Sequence, residues 1–453
     1  MPRLLFIWPR TRDFPVYERL IPTLTIPYIA GLTPPHWHVA FADDNYGEVE
    51  TALAPGTRPD LVAISVNTMS ALRSYTLADR FRAEGVRVVL GGWHVTFCPD
   101  EAAAHADAVV VGEADDTWAQ LLADAERGAL QPRYTSRNDT DLRHYPTVRR
   151  DLLAGRRYFT TNLVQATRGC PYHCSFCSVS TVNPKYRRRP VADVVAELAG
   201  LPGRTLFFID DNLFIHREYT RELFRALAPL RKKWIGEASI NMADDPELLD
   251  LAVASGMVGL LVGFESIVPG AIREMNKHRT NVAERYKAQI AALHRRGVGV
   301  LAMFTFGFDE ETPDVFARTL EFCEEADLFG ASFGILTPFP GTPTFAKLEA
   351  AGRIRTRDWR LYDLQHLVFD LPGWAPGTLE AGVDGIEQRF YSWRAFLRRT
   401  WKLRRYPRLL RPANLLLYLV VNFQYFATLR RRRRGLAVNS AGWSRAQPLP
   451  AAR

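Results

Sequence analysis

Three of the chain's five cysteines stand between positions 170 and 177: Cys170, Cys174 and Cys177 in "RGCPYHCSFCSVS". The other two, Cys98 and Cys323, lie far away in sequence. Five cysteines over 453 residues do not make a disulfide framework, and a bunch of three in a reducing compartment reads as a metal or redox site. A structural zinc ion wants four ligands, so that reading would need His173, inside the loop, or the remote Cys98. Three thiolates can instead hold three irons of a 4Fe–4S cluster and leave the fourth iron open to an exogenous ligand. Gly169 and Pro171 make the loop compact enough to wrap such a cluster, and Phe176 offers an apolar wall against water.

A site of this kind needs elements that hold it. Between Pro2 and about Arg127, the apolar runs "RLLFIW", "HVAFAD", "LVAISV", "VRVVLGG" and "DAVVVGE" alternate with helical stretches such as 70–84 and 117–127. Continuous apolar strands alternating with helices predict a parallel sheet covered on both faces, a flavodoxin-like or Rossmann-like α/β domain. Ligands bind such sheets beyond the strand C-termini. Here those positions hold Asp43 and Asp44; Ser65, Asn67 and Thr68; Gly91, Gly92 and His94; and Gly112 with Glu113. No phosphate-binding GxGxxG follows the first strand, which argues against a nicotinamide dinucleotide. Residues 128–157, polar and without period, predict a linker over the surface.

A second series follows: "TTNLVQAT", "TLFFIDD", "WIGEASI", "VGLLVGFES", "VLAMFTFGF" and "FGILTPF", separated by helical stretches. Six strand–helix units predict a partial (β/α)6 barrel over residues 158–338, whose chemistry belongs at the strand C-termini. The cysteine loop falls just after the first of these strands. The chain then passes into a mainly helical extension, 339–453, whose last fifteen or so residues are expected to be disordered.

CxxxCxxC at the end of a barrel's first strand, with an aromatic residue before the last cysteine, resembles the radical S-adenosylmethionine (SAM) superfamily. The resemblance implies that the open iron is chelated by SAM, which is cleaved to a 5′-deoxyadenosyl radical. Where the family often has GGE after the second strand, to hold the SAM amino group, this chain has Asp210, Asp211 and Asn212, which can also accept from an ammonium. Glu237 and Ser239 share a face at the third strand's end, and Glu265 in "VGFES" matches the family's ribose-contacting position.

The order of the two domains resembles the cobalamin-binding radical SAM class over nearly residues 1–340. The DxHxxG motif that supplies a lower cobalt ligand in some cobalamin proteins is absent, as it is in many radical SAM relatives. His94, in the "GGWH" loop, is read as a hydrogen-bonding loop residue rather than a cobalt ligand. Residues 337–370, "TPFPGTPTFAKLEAAGRIRTRDWRLYDLQHLVFD", are similar to the extension of the hopanoid methylase subgroup.

The net charge of +9 is local. Residues 389–453 hold sixteen Arg or Lys and no Asp or Glu, which leaves 42 basic against 49 acidic groups in the rest. Within this tail "LLLYLVVNFQYFATL", 415–429, is shorter than the twenty or so residues of a spanning helix. Flanked by Arg394 to Arg411 and by Arg430 to Arg434, it is read either as an interfacial helix on anionic lipid or as a core helix with a solvated face. Nucleic acid is not expected.

The expectation is a cobalamin-dependent radical SAM methyltransferase acting at an unactivated carbon of a hydrophobic or natural-product substrate. It would use a 4Fe–4S cluster, SAM, cobalamin and an electron donor such as flavodoxin or ferredoxin. With no signal segment read at the N-terminus, it is expected in the cytoplasm, with peripheral membrane contact through the tail. The alternatives are a radical SAM oxidoreductase, cyclase or rearrangement enzyme without methyl transfer, and a binding protein with a vestigial cluster loop. A tRNA methylthiotransferase would need a second cluster, for which Cys98 and Cys323 are too few.

Overall fold

The computed structural model describes residues 1–11, 21–50 and 58–439, so the polar end expected to be disordered lies outside the described residues. The chain divides into two compact units, one of Met1–Asp211 with Pro338–Lys347 and Asp358–Asp363, the other of Asn212–Thr337 with Leu348–Arg357 and Leu364–Arg453.

In the first unit, β1 (Arg3–Trp8), β2 (His38–Asp43), β3 (Leu61–Ser65), β4 (Arg87–Gly91) and β5 (Ala108–Val111) form where the apolar runs predicted them. They lie parallel in the order β2-β1-β3-β4-β5. This is the flavodoxin-like order, in which chain direction switches between β1 and β3 and opens a crevice at the strand C-termini. Leu4, Phe6, Leu61, Ala63, Val89 and Val110 bury one face of the sheet together with Trp118, Leu121 and Leu122 of the helix Trp118–Glu126.

The segment 128–157 is not the surface linker expected. Arg133–Thr135 adds β6 in parallel to β5, with Tyr134 buried and its hydroxyl donating to Asp124 at 2.8 Å, while Leu142 and Leu153 are buried as well. Three residues with charged or polar neighbours carry too little pattern to announce a strand.

The first unit also holds the start of the second series. The strands β7 (Leu163–Val164) and β10 (Thr205–Phe208) pair in parallel, and the two-residue strands β8 (Thr167–Arg168) and β9 (Arg187–Arg188) pair antiparallel. The remaining four expected strands belong to the second unit: β11 (Lys233–Glu237), β12 (Met257–Glu265), β13 (Gly299–Phe306) and β14 (Gly330–Ile335), parallel and neighbouring in that order. Antiparallel pairing would need only hairpins; parallel pairing needs the crossover helices that the sequence places between them.

The apolar segment 415–429 lies in the long helix Pro412–Asn439, which packs one face into the unit and leaves Leu416 and Phe423 exposed. Tyr418 is fully buried against Phe329 and Phe396, among Leu403 and Leu409. Asn414 and Asn422, one helical face apart from each other by two turns, donate to carbonyls at the strand starts: Asn414 to Val258 (3.1 Å) and Gly297 (2.5 Å), Asn422 to Phe329 (3.4 Å). Asn422, which interrupts the apolar run, and Asn414, just before it, therefore satisfy buried backbone acceptors. Among the described residues no helix is long and apolar enough to cross a membrane.

Candidate functional site

The cysteine loop leaves the end of β8 and returns at β9. At Gly169 the backbone takes φ +89°, and a Cβ there would collide with the carbonyls of Asn183 and Lys185, so only glycine lets the loop close. The Cys170 amide donates to the Asn183 carbonyl at 3.0 Å, and that of Cys177 to Cys174 at 3.1 Å. The three cysteines are half-buried and none is disulfide-bonded. Burial, with the Cys177 and Cys174 sulfurs nearby, pushes the Cys170 thiol up to about 12, so holding thiolates here calls for strong positive charge from a metal centre.

Asp210 and Asp211 serve the loop directly. Asp210 is fully buried and accepts from the amide of Ala166 (3.1 Å) and from the amide and hydroxyl of Thr167, the latter at 2.6 Å. Burial pushes its carboxyl up to about 7, against the pull of these donors. Asp211 accepts from the Gly169 amide at 2.8 Å. Both carboxylates thus fix the backbone entering the loop.

At the C-terminal ends of the first sheet a cavity of ≈ 420 Å³ opens. Its walls are apolar and aromatic, including Phe6, Trp8, Trp93 and Trp118, with a polar rim of Asn67, Gln165 and Arg168. Of the residues expected there, Ser65, Asn67, Gly91, Gly92, Gly112 and Glu113 line it, and Asp211 does too. At Gly92, φ is +105° and a Cβ would stand 2.8 Å from the Val66 carbonyl oxygen, which keeps the floor bare of side chain. A flat macrocycle with amide arms suits this combination of aromatic walls and hydrogen-bonding rim.

Asp43, Asp44, Thr68 and His94 do not line the cavity. Asp43 accepts from the Tyr158 hydroxyl (2.6 Å) and from Asn45, and Asp44 holds Arg73 in two hydrogen bonds of 2.8 and 2.9 Å. Burial raises the Asp43 carboxyl; for Asp44, Arg73 and Arg10 overcome burial and lower it. His94 is fully buried, its ring nitrogens 3.3 Å from the Thr68 hydroxyl and 3.3 Å from Glu101, which also accepts from Trp359 at 2.8 Å. Both nitrogens are engaged, in keeping with a loop-bonding histidine.

Sequence reasoning missed the charge cluster joining cavity and loop. Arg168, 9% exposed, lies 3.1 Å from Asp115 and 3.4 Å from Glu113, its guanidinium 4.7 Å above the Tyr28 ring, while Tyr28 donates to Asp115. Arg187 reaches the same Glu113, whose carboxyl the two arginines hold below its ordinary range despite burial. The only signal was the arginine placed directly before Gly169.

In the second unit, Asn212 donates to the Ser239 hydroxyl at 2.9 Å, and Glu237 is exposed at the end of β11. Glu265, at the end of β12, takes φ +63° where the register to β13 shifts. It accepts from Lys277 (2.6 Å) and Thr305 (3.1 Å), a nearly buried ion pair that no sequence motif announced. Beyond it, Glu311 accepts from Ser266 (2.6 Å) and the Gly307 and Phe308 amides.

Residues 164–323 match the Radical SAM superfamily and residues 16–122 the B12 binding domain. The chain is 30% identical to the bacteriochlorophyllide d C-12(1)-methyltransferase of Chlorobaculum tepidum, over 83% of this chain and 84% of that one. It is 25% identical to the hopanoid C-2 methylase of Rhodopseudomonas palustris, over 81% and 73%. In fold it resembles the radical SAM methyltransferase TsrM from Kitasatospora setae, with a TM-score of 0.64 and 18% identity over 79% of this chain and 77% of that one.

Proposed function

The chain belongs to the cobalamin-dependent radical SAM methylases, and from that premise we propose that it transfers methyl to an unactivated carbon of a large hydrophobic substrate. The observation that carries this reading is the three-cysteine loop, clamped by Asp210 and Asp211, in one compact unit with the glycine-floored cavity. When bound, the cluster, SAM and cobalamin supply reductive cleavage of a sulfonium to a 5′-deoxyadenosyl radical and a transferable methyl group.

The protein's own residues do the positioning. Cys170, Cys174 and Cys177 are the cluster ligands, Phe176 shields them, and Asp210 with Asp211 holds the loop backbone. Ser65, Asn67, Gln165 and Arg168 are the donors and acceptors offered to the cobalamin rim. Asn212, Glu237, Ser239 and Glu265 are offered to SAM, with Lys277 fixing the rotamer of Glu265. Residues 1–127 form the cobalamin-binding domain, 128–157 join it to the radical SAM barrel of 158–338, and 339–453 form the extension; the two family matches support the first and the barrel.

Relatives named for a bacteriochlorophyllide and for a hopanoid support a polycyclic, largely apolar substrate. A substrate of that kind, together with the basic tail, favours a cytoplasmic enzyme that touches the membrane peripherally and takes electrons from a flavodoxin or ferredoxin. The test is anaerobic turnover of reconstituted protein with SAM, reductant, methylcobalamin and a candidate lipid or tetrapyrrole pool. A methyl mass increment is expected; deoxyadenosine without added methyl would instead favour cyclase or oxidoreductase chemistry.

A further inference from the structure

The helix Trp393–Lys402 carries its apolar residues on both faces. Its inner face is ordinary: Ala395 and Phe396 are buried, and Arg399, also buried, bonds Asn422 at 2.7 Å. Its outer face is not. Trp393, Leu397 and Trp401, spaced at one-turn intervals, are 58%, 54% and 66% exposed. Isolated exposed apolar residues are normal, but a stripe of two tryptophans and a leucine on one helical face is a patch. Among the described residues, half of the twelve large apolar side chains left exposed fall between 393 and 423.

Cations border this stripe. Arg394 and Arg398 follow Trp393 and Leu397 by one position and are exposed; the Arg404 guanidinium sits 3.8 Å over the Trp401 ring. A depression lined by Arg389, Ser392, Arg394 and Arg398, with Glu324, opens beside it. From residue 389 onward the chain contains no carboxylate side chain at all. Tryptophan is amphipathic and favours the boundary between headgroups and acyl chains, and arginine beside it meets anionic headgroups. Arg398 pairs with Glu324 and Lys402 with Asp327, so Arg394 and Arg404 carry the face's unneutralised charge; a second copy would set these like charges against each other, and an anionic lipid surface complements them.

We propose that the outer face of the helix Trp393–Lys402 is the membrane-docking surface of this protein, with Trp393, Leu397 and Trp401 entering the interface of an anionic bilayer. The assignment rests on the peripheral-contact reading above and centres the contact on the helix before the 415–429 segment, one face of which packs inside the unit.

The test uses full-length reconstituted enzyme sedimented with phosphatidylcholine vesicles, with or without phosphatidylglycerol. Binding to the anionic vesicles is expected, with tryptophan fluorescence quenched by brominated acyl chains. The triple variant Trp393→Ala, Leu397→Ser, Trp401→Ala should weaken partitioning by about tenfold or more while deoxyadenosine formation is retained. Equal binding by the triple variant overturns the assignment. So does loss of binding confined to a variant with Arg430 to Arg434 replaced by Gln, although peripheral contact would then stand. No binding by the unaltered chain overturns both, and a concentration-dependent dimer that the triple variant abolishes, without vesicle binding, gives the face to a second copy.

Discussion

Arg187 grips the Glu113 carboxylate with two hydrogen bonds, of 2.7 and 2.5 Å. One partner ends the fifth strand of the first sheet and the other closes the hairpin that returns from the cysteine loop, so the cavity rim and the loop share a rigid link. Both side chains are nearly buried, 8% and 12% exposed. Glu113→Gln leaves Arg187 and Arg168 without their shared anion and should destabilise the protein by about 3 kcal/mol. Urea unfolding of the two proteins measures this, and an unchanged midpoint would show that the clamp contributes nothing.

Cys174→Ala should abolish deoxyadenosine formation and lower the iron bound after anaerobic reconstitution. Cys323→Ala, which alters a fully buried cysteine of the second unit, should retain both. Full activity in the first variant would contradict the ligand assignment.

Lys277→Met strands the Glu265 carboxylate at the end of β12 and should cost about 3 kcal/mol of stability. Adding Glu265→Gln removes the stranded charge and should recover most of that stability. If Glu265 contacts SAM, the double variant nevertheless binds SAM about tenfold more weakly, by the loss of one charge-assisted hydrogen bond. Equilibrium binding alongside denaturation separates the two effects.

Glu311 predicts a pH dependence of stability. Burial pushes its carboxyl up to about 7 from an ordinary 4.5, with Ser266 and the Gly307 and Phe308 amides pulling it down. The folded state therefore keeps a proton that the unfolded chain releases, so this contribution is fully present below about pH 4.5 and is lost as pH rises toward 7. The loss is about 3 kcal/mol, and Glu311→Gln should remove it. Melting curves of both proteins from pH 5 to about 7.5 check the slope, which should be shallower in the variant.

The eleven strands with apolar runs were legible because burial on both faces of a parallel sheet writes itself as an unbroken hydrophobic string. The cysteine loop was legible because ligand chemistry tolerates few residue types. What stayed hidden was polar and buried. "KYRRRP" reads as a solvated surface, yet Arg189 stacks 3.8 Å over Tyr145 and pairs with Glu197 at 2.6 Å, and Arg187 is the clamp on Glu113. Glu113 lies 74 residues from Arg187 in sequence, beyond any local pattern, and Glu197 eight residues from Arg189 on the helix Val191–Gly200. Asp210 shows the reverse case: a carboxylate at a strand end suggests a ligand contact, while the fold gives it to the backbone of Ala166 and Thr167.

Asn414 and Asn422 make the C-terminal helix a lid on the beginnings of three strands, since the carbonyls of Val258, Gly297 and Phe329 have those amides as donors. The helix that begins at Pro412 is therefore not an appendage that can be clipped for convenience. Proteolysis or truncation ahead of Pro412 would uncap the barrel's underside, and a shortened enzyme would fail from below before its chemistry was ever tried.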